Sequence, residues 1–438
     1  MSGVAARSTA VAALAALLLG AAASSGSAAG PPGARIGGVI LHAGGRIHGL
    51  PAATAAGGAN DVHLQESPCS LSRPLPCWVM RTNTTYAIYW VPSGYSVEAG
   101  YESAIDRYLG DVAAASGSQK NVYSVATQYY DATGFISYRS TFGGSTIDTD
   151  PYPASGCDDS SEGVHDPVCL TDQQLQTEMQ KVITSKGWQN GRNALFFILT
   201  PKNVGSCSNG FSGQCTTNSF CAYHSGFSGA NGKPVLYANV PYAAAIDGCA
   251  LGPSPNGDDA DATINAISHE QNEAITDPWA DAWRNVEGDE IADMCVWQFG
   301  TPLGNAANGQ PYNQLINGHP YALQENYSND GHRCRQHYVG RPTNTTRPAL
   351  EGAARRGELL SASRGSWTQI PTAYAYQWLR CGNASGSSCV RIKHATHPTY
   401  RLTKHDARHR LRVRVTARNA AGSKTATSHA TARVPAGQ

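Results

Sequence analysis

Asp261-Ala-Thr-Ile-Asn-Ala-Ile-Ser-His-Glu-Gln-Asn-Glu-Ala-Ile-Thr276, halted by Asp277-Pro278, is the stretch from which the rest of the chain is best read. Ile264, Ile267 and Ile275 make one apolar face, which predicts a helix, and the proline predicts its end. On that helix His269 and Glu273 are four apart and stand one above the other. The spacing is the one by which a single helix presents two metal ligands. Imidazole nitrogen and carboxylate oxygen are both zinc donors, so His269 and Glu273 are candidate ligands of a zinc ion. Glu270 adjoins His269, where a general base would take a proton from an attacking water and deliver it to a leaving amine. A solvated histidine and carboxylates on a polar helix face would give the same pattern; the metal reading requires the imidazole and carboxylates to converge on one ion.

Downstream lies Gly288-Asp-Glu-Ile-Ala-Asp-Met-Cys295. The His-Glu-x-x-Glu pattern followed by this acidic cluster resembles gluzincin metallopeptidases, whose third ligand is a Glu on a second helix. The resemblance implies that Glu290 is the third ligand and Asp293 the acid that orients His269, with the two roles open to exchange. The second ligand departs from the family pattern, being Glu rather than His. His224, in an upstream Cys-rich segment, is a further ligand or substrate contact to consider. Upstream, Ala194-Leu-Phe-Phe-Ile-Leu-Thr200 reads as a buried strand and Val235–Val240 as an edge strand. Tyr86–Val91, Asn121–Tyr130 and Ser137–Phe142 also read as strands, and Tyr101–Ala115 and Thr171–Lys186 as helices, with Thr171 as N-cap.

A second resemblance covers Tyr86 to Cys334. Its carriers are Leu195-Phe-Phe-Ile-Leu-Thr200, Phe220-Cys-Ala-Tyr-His224, Pro255-Asn-Gly-Asp258, Thr276-Asp-Pro278 with Trp283, and Glu290-Ile-Ala-Asp-Met-Cys295. In this order they resemble the secreted EXORDIUM-like (phosphate-induced) proteins. That family implies a secreted, wall-associated protein and leaves chemistry open. The fold expected for residues 69–338 is an α+β zincin-like domain with a mixed sheet and an active-site helix. The function expected is zinc-dependent hydrolysis of peptide bonds; the alternative is a non-catalytic wall-associated binding protein.

The 438 residues are more than one ordinary domain uses. The net charge of +1 hides a split: from Arg341 onward there are 17 Lys/Arg against 3 Asp/Glu, which leaves 16 of the 33 basic and 29 of the 32 acidic residues for the rest. In the basic part, Leu411-Arg-Val-Arg-Val415 alternates with period two, and similar short runs recur between turn residues. Gln377-Trp-Leu-Arg-Cys381, Cys389-Val-Arg-Ile392, Tyr400-Arg-Leu-Thr403, Asp406 and Val415–Gly422 are similar to bacterial Ig-like modules of secreted proteins. The resemblance implies an all-β Ig-like sandwich over 349–438, after a linker at 339–348, with Trp378 in its core. Its positive charge suits an anionic cell-wall polymer. Nucleic acid is disfavoured, because no aromatic platform interleaves with the arginines.

Residues 1–29 read as a signal peptide: Arg7, the apolar run Val11–Ala23, then small residues at Ser27-Ala28-Ala29. No later stretch is apolar enough to span a bilayer. Residues 30–68 are Gly/Ala-rich and read as a low-complexity linker. Secretion makes disulfides the expected use of the 12 cysteines. Short-range pairings Cys69–Cys77, Cys157–Cys169 and Cys381–Cys389 are expected, with Cys295–Cys334 closing the large domain. Asp258-Asp259-Ala-Asp261 either binds calcium or places negative charge at a helix N-terminus. Neither a GxSxG elbow nor a GxxxxGK[ST] phosphate loop is present, which disfavours serine hydrolase and nucleotide chemistry.

Overall fold

The structure is a computed structural model that describes residues 37–41, 61–64, 78–131, 133–159, 166–208, 214–369, 371, 373–382, 388–419 and 421–436. A six-stranded mixed sheet organises the first three quarters of the chain. Its strands are β1 (Gly37–Leu41), β2 (Asn83–Trp90), β3 (Ser140–Asp148), β4 (Ala194–Leu199), β5 (Phe220–Ser228) and β6 (Pro234–Val240). Their spatial order is β1-β5-β6-β4-β2-β3. β3, β2, β4 and β6 run parallel to one another, whereas β5 is antiparallel to both β6 and β1.

Strand periodicity explains the layers. In β2, Ala87 and Tyr89 face one core while Ile88 and Trp90 face another; in β4, Leu195, Phe197 and Leu199 oppose Phe196 and Ile198. A strand covered on both faces has no polar side, so β4 is a continuous apolar run. The first core is closed by α1 (Tyr101–Ala114) and the second by α2 (Asp172–Lys186). Ile105, Tyr108, Leu109 and Val112 of α1 recur at helical spacing and are buried against the sheet. α2 starts with a capping box, the Thr171 hydroxyl accepting from Gln174 N–H and the Gln174 side chain accepting from Thr171 N–H, as expected of an N-cap threonine. α3 (Ala260–Thr276) shares the first core with α1 through Ile264, Ile267 and Ile275.

Three expectations are corrected. Gly37–Leu41, inside the stretch read as linker, is the edge strand β1, and Val62 of the same stretch is buried in the first core. The surrounding glycines and alanines hide that short β-branched run. Because β1 and β5 lie outside it, β6 is an interior strand rather than an edge. Asn121–Tyr130 is not a strand: Val122–Gln128 winds into a 3₁₀ helix. The Ser124 hydroxyl donates to Asn121 O and the Thr127 hydroxyl to Ser124 O, so local side-chain bonds win over the β-branched preference.

The basic end of the chain is antiparallel β structure. β7 (Leu350–Glu351), β8 (Leu359–Ala362), β9 (Ala373–Cys381), β10 (Cys389–Arg391), β11 (Thr399–Arg401), β12 (Arg410–Asn419) and β13 (Gly422–Thr427) form two sheets, β7-β8-β11 and β10-β9-β12-β13. Trp378, Leu360, Leu402, Leu411, Val413, Val415 and Val434 make a hydrophobic core of their own. Along β12 the arginines at 410, 412, 414 and 418 occupy the alternate, outward positions. The Gln369 side chain donates to Thr127 O and accepts from the Thr127 hydroxyl, joining this region to the 3₁₀ segment.

Five disulfides close among the described residues: Cys157–Cys169, Cys207–Cys215, Cys221–Cys249, Cys295–Cys334 and Cys381–Cys389. Three of them are expected from the sequence: the short-range Cys157–Cys169 and Cys381–Cys389, and Cys295–Cys334, which closes the large domain. Such bonding fits an oxidising compartment. The expected Cys69–Cys77 bridge and the signal peptide lie outside the described residues. Among the described residues no helix is long and apolar enough to cross a membrane.

Candidate metal centre

α3 is buried along nearly its whole length, so its polar residues meet protein rather than water. Burial settles the question the sequence left open: His269, Glu270 and Glu273 are not a solvated face. One set of α3 polar groups is satisfied conventionally. Tyr123 O–H donates to Gln271 Oε1, Gln271 Nε2 donates to Asn83 Oδ1, and Asn265 Oδ1 accepts from Gln324 N–H.

His269, Glu270 and Glu273 form the other set. His269 Nδ1 lies 3.2 Å from Gln324 Oε1, which fixes Nδ1 as the donor and leaves the Nε2 lone pair facing inward. That Nε2 is at ion-pair distance from two carboxylates at once, 3.2 Å from Glu273 Oε1 and 3.3 Å from Asp293 Oδ1, without a well-formed hydrogen bond to either. Glu273 Oε1 is held by the backbone N–H groups of Ala292 (3.1 Å) and Asp293 (2.8 Å). One donor atom each from His269, Glu273 and Asp293 lie within 4.8 Å of one another. Donors that crowd together without bonding one another are arranged as around a shared cation.

Glu290 does not join that trio. It lies on the other side of Glu273, with Oε1 3.8 Å from His224 Nε2 and Oε2 3.7 Å from Arg284 Nη2. No α-helix carries it: the downstream segment is a turn, with one 3₁₀ winding at Asp293–Cys295, where the gluzincin resemblance implied a helix. Glu270 Oε2 contacts His224 Nδ1 at 3.2 Å, and its Oε1 is buried without a partner. His224 arrives from β5 and is anchored by Nε2 against Asp277 O at 3.1 Å. Asp277 is spent on Arg284 Nε (2.7 Å) and on the N–H groups of Asp281 and Ala282.

The electrostatics follow from burial. Burial, then the Asp293 charge, pushes the Glu273 carboxyl up to about 7. Burial drives Glu270 well above the carboxylate range, with His269 opposing the rise and Glu273 and Asp293 adding to it. Burial likewise raises Glu290, with Asp277 adding to it. His224 is lowered to about 4 by desolvation. Burial also opposes charge on His269, but the Glu273 and Asp293 carboxylates outweigh it and hold this imidazole well above its usual value. Asp277 resists burial and stays low because of Arg284 and its hydrogen bonds.

Five carboxyl groups thus surround one permanent cation, Arg284. Were both imidazoles neutral and all acids ionised, the cluster would carry four uncompensated negative charges, which an interior of low dielectric does not tolerate; without an ion, protons on His269 and on the raised carboxyls relieve that charge, and a bound cation would relieve it in their place. His269 Nε2, Glu270 Oε1, Glu273 Oε2 and both Glu290 oxygens are buried without hydrogen bonds. These orphans are what a bound divalent cation satisfies, so the residues present fit a metal. Among the acids and imidazoles only the Asp293 side chain, one-fifth exposed, reaches solvent, and the Arg284 side chain is exposed to the same degree.

The calcium candidate at Asp258-Asp259-Ala-Asp261 is built differently. Asp261 accepts from Ser254 Oγ, Asn256 Nδ2 and the N–H groups of Asn256 and Gly257, tying the loop that starts α3. Among the described residues these three acids do not bring donor atoms together.

Sequence spacing singled out His269, Glu270 and Glu273. It gave no role to Gln324, Arg284 or Asp277, which orient or balance the site from loops; the seven-residue step from Asp277 to Arg284 matches no helical or strand period. No family model matches the chain, and no curated protein matches it.

Proposed function

We propose that the chain is a secreted zinc-dependent hydrolase of the zincin type, acting on peptide bonds, with an Ig-like accessory module at its basic end. The observation that carries this reading is the convergence of His269 Nε2, Glu273 and Asp293 on one point, beside a carboxylate with an unpartnered oxygen. A zinc ion bound there would supply Lewis acidity, activating water and polarising a carbonyl near neutral pH. Gln324 fixes the tautomer and ring orientation of His269. Two backbone N–H groups hold Glu273 in place. Glu270 Oε1 has no other bond to break, and a bound cation would offset the burial that otherwise keeps this carboxyl protonated, leaving it to take a proton from water and pass it to a leaving amine. Asp293 is the side of the site that a substrate would approach.

Purified protein loaded with zinc, incubated with a broad peptide library, tests the reading. Cleavage is expected, falling at least about 100-fold in Glu270→Gln while zinc content and fold persist. A zinc-replete, folded protein that cleaves nothing contradicts it.

One observation favours a second reading, a metal-stabilised, non-catalytic wall-associated protein of EXORDIUM-like type: His224, His269, Glu270, Glu273 and Glu290 have almost no exposed surface. This reading expects sedimentation with anionic wall polymer through the arginine-rich β12 face, with no peptide cleavage. A protein that stays in the supernatant at low salt counts against it.

A further inference from the structure

Glu273 divides its two oxygens between opposite sides. Oε1 belongs with His269 and Asp293, and Oε2 faces His224, 3.9 Å from its Nδ1. On that second side one donor atom each from His224, Glu273 and Glu290 fall within 4.8 Å of one another; Glu290 Oε1 lies 3.8 Å from His224 Nε2, the nitrogen that donates to Asp277 O, so an ion held between them would take the place of that hydrogen bond. We propose that this second trio holds a second divalent cation, with Glu273 as the carboxylate that bridges two ions. The proposal rests on the zinc reading above, because Glu273 serves both sites.

Three observations support it. The donors are sealed in: Glu273 and Glu290 are fully buried and His224 is 1% exposed. Glu273 Oε2 and both Glu290 oxygens have no hydrogen bond, and a side chain left in that state costs about 1–3 kcal/mol per group unless something binds it. Arg284 pairs with Glu290 at ion-pair range only, Nη2 lying 3.7 Å from Oε2, while its Nε bonds Asp277 at 2.7 Å.

Charge balance is the third. With both imidazoles neutral as ligands and all five carboxyls of Glu270, Glu273, Asp277, Glu290 and Asp293 ionised, Arg284 leaves four negative charges; with one divalent ion two of the buried acids must keep their protons, and with two divalent ions none need do so. A carboxylate-bridged pair with ions about 3.5–4 Å apart is a recurrent hydrolytic arrangement, in which both the attacking and the leaving oxygen are clamped.

The test is the metal stoichiometry of the full-length protein by native mass spectrometry after reconstitution with zinc, together with the spin-resonance spectrum of the Mn²⁺-loaded protein. Two ions per chain are expected in the wild type, one in Glu290→Gln, and an exchange-coupled Mn²⁺ spectrum. One ion in the wild type, kept in Glu290→Gln and lost in His269→Asn, overturns the second site and leaves the zinc reading standing. Two ions in both wild type and Glu290→Gln place the second ion elsewhere and also overturn it. No bound ion removes both proposals. Should Glu290→Gln not fold, the wild-type Mn²⁺ spectrum decides, because isolated six-line signals contradict a bridged pair.

Discussion

Glu273→Gln distinguishes a carboxylate kept for an ion from one kept for its hydrogen bonds. In ion-free protein the buried carboxyl titrates at about 7 rather than 4.5. Between those values the folded state holds a proton that the unfolded chain has released, so this group removes stability as pH rises from about 4.5 to about 7, and the loss is complete above. At about 1.4 kcal/mol per pH unit, the deficit at pH 8 is about 3 kcal/mol. Gln keeps an oxygen for the Ala292 and Asp293 N–H groups and never ionises. In chelator at pH 8 the variant should therefore be more stable than wild type by up to about 3 kcal/mol, and the difference should vanish near pH 4.5. In excess zinc the sign should reverse: a ligand at 1,000 times its Kd stabilises by about 4 kcal/mol, and the variant loses much of that. Urea unfolding followed by tryptophan fluorescence, at both pH values with and without zinc, reads all four states. A variant that is less stable than wild type in chelator at pH 8, by the same amount as in zinc, refutes the reasoning and makes Glu273 an ordinary structural acceptor.

Replacing Cys295 and Cys334 by serine opens a loop with sequence separation 39 and should cost about 4 kcal/mol, read from the urea midpoint; a loss below about 1 kcal/mol contradicts that loop-entropy figure. Asp406 resists its burial, held low by Thr403 N–H, Arg380 and the Thr403 and Tyr400 hydroxyls. Its depressed carboxyl stabilises the fold above about pH 4 and loses that contribution as pH falls through the folded-state value. Asp406→Asn should thus be destabilised by about 2 kcal/mol at pH 7, and the gap to wild type should close in acid; a gap independent of pH contradicts the charge argument. Trp378→Ala should cost about 3–5 kcal/mol in the basic β region while zinc content is unchanged, because the two hydrophobic cores share no residue.

Much of this architecture is visible in residue patterns because local and tertiary preferences agree. β4 is apolar throughout because both its faces are covered, and β12 alternates Arg with Val because one face is not. Thr171 marks its helix start through a capping box. The i, i+4 pair His269–Glu273 is a consequence of helical geometry alone and is therefore readable. What escapes a linear reading depends on chain crossings. His224, a candidate ligand or substrate contact by its place in the Cys-rich segment, meets Glu270 from a strand 46 residues away, and nothing in the sequence of β5 points to that partner. Glu290 and Asp293 are three apart on an irregular turn, and only the position of Glu273 between them decides which imidazole each one faces. The burial of α3 is equally hidden, since a helix with so many polar residues would ordinarily turn them to water.

Anomalous diffraction at the zinc edge from crystals grown with zinc tests the central claim most directly. The account predicts a peak about 2.0–2.2 Å from His269 Nε2 and from oxygens of Glu273 and Asp293. A map with no peak among these residues, in crystals whose α3 helix and Asp293 turn stand as described, would contradict it.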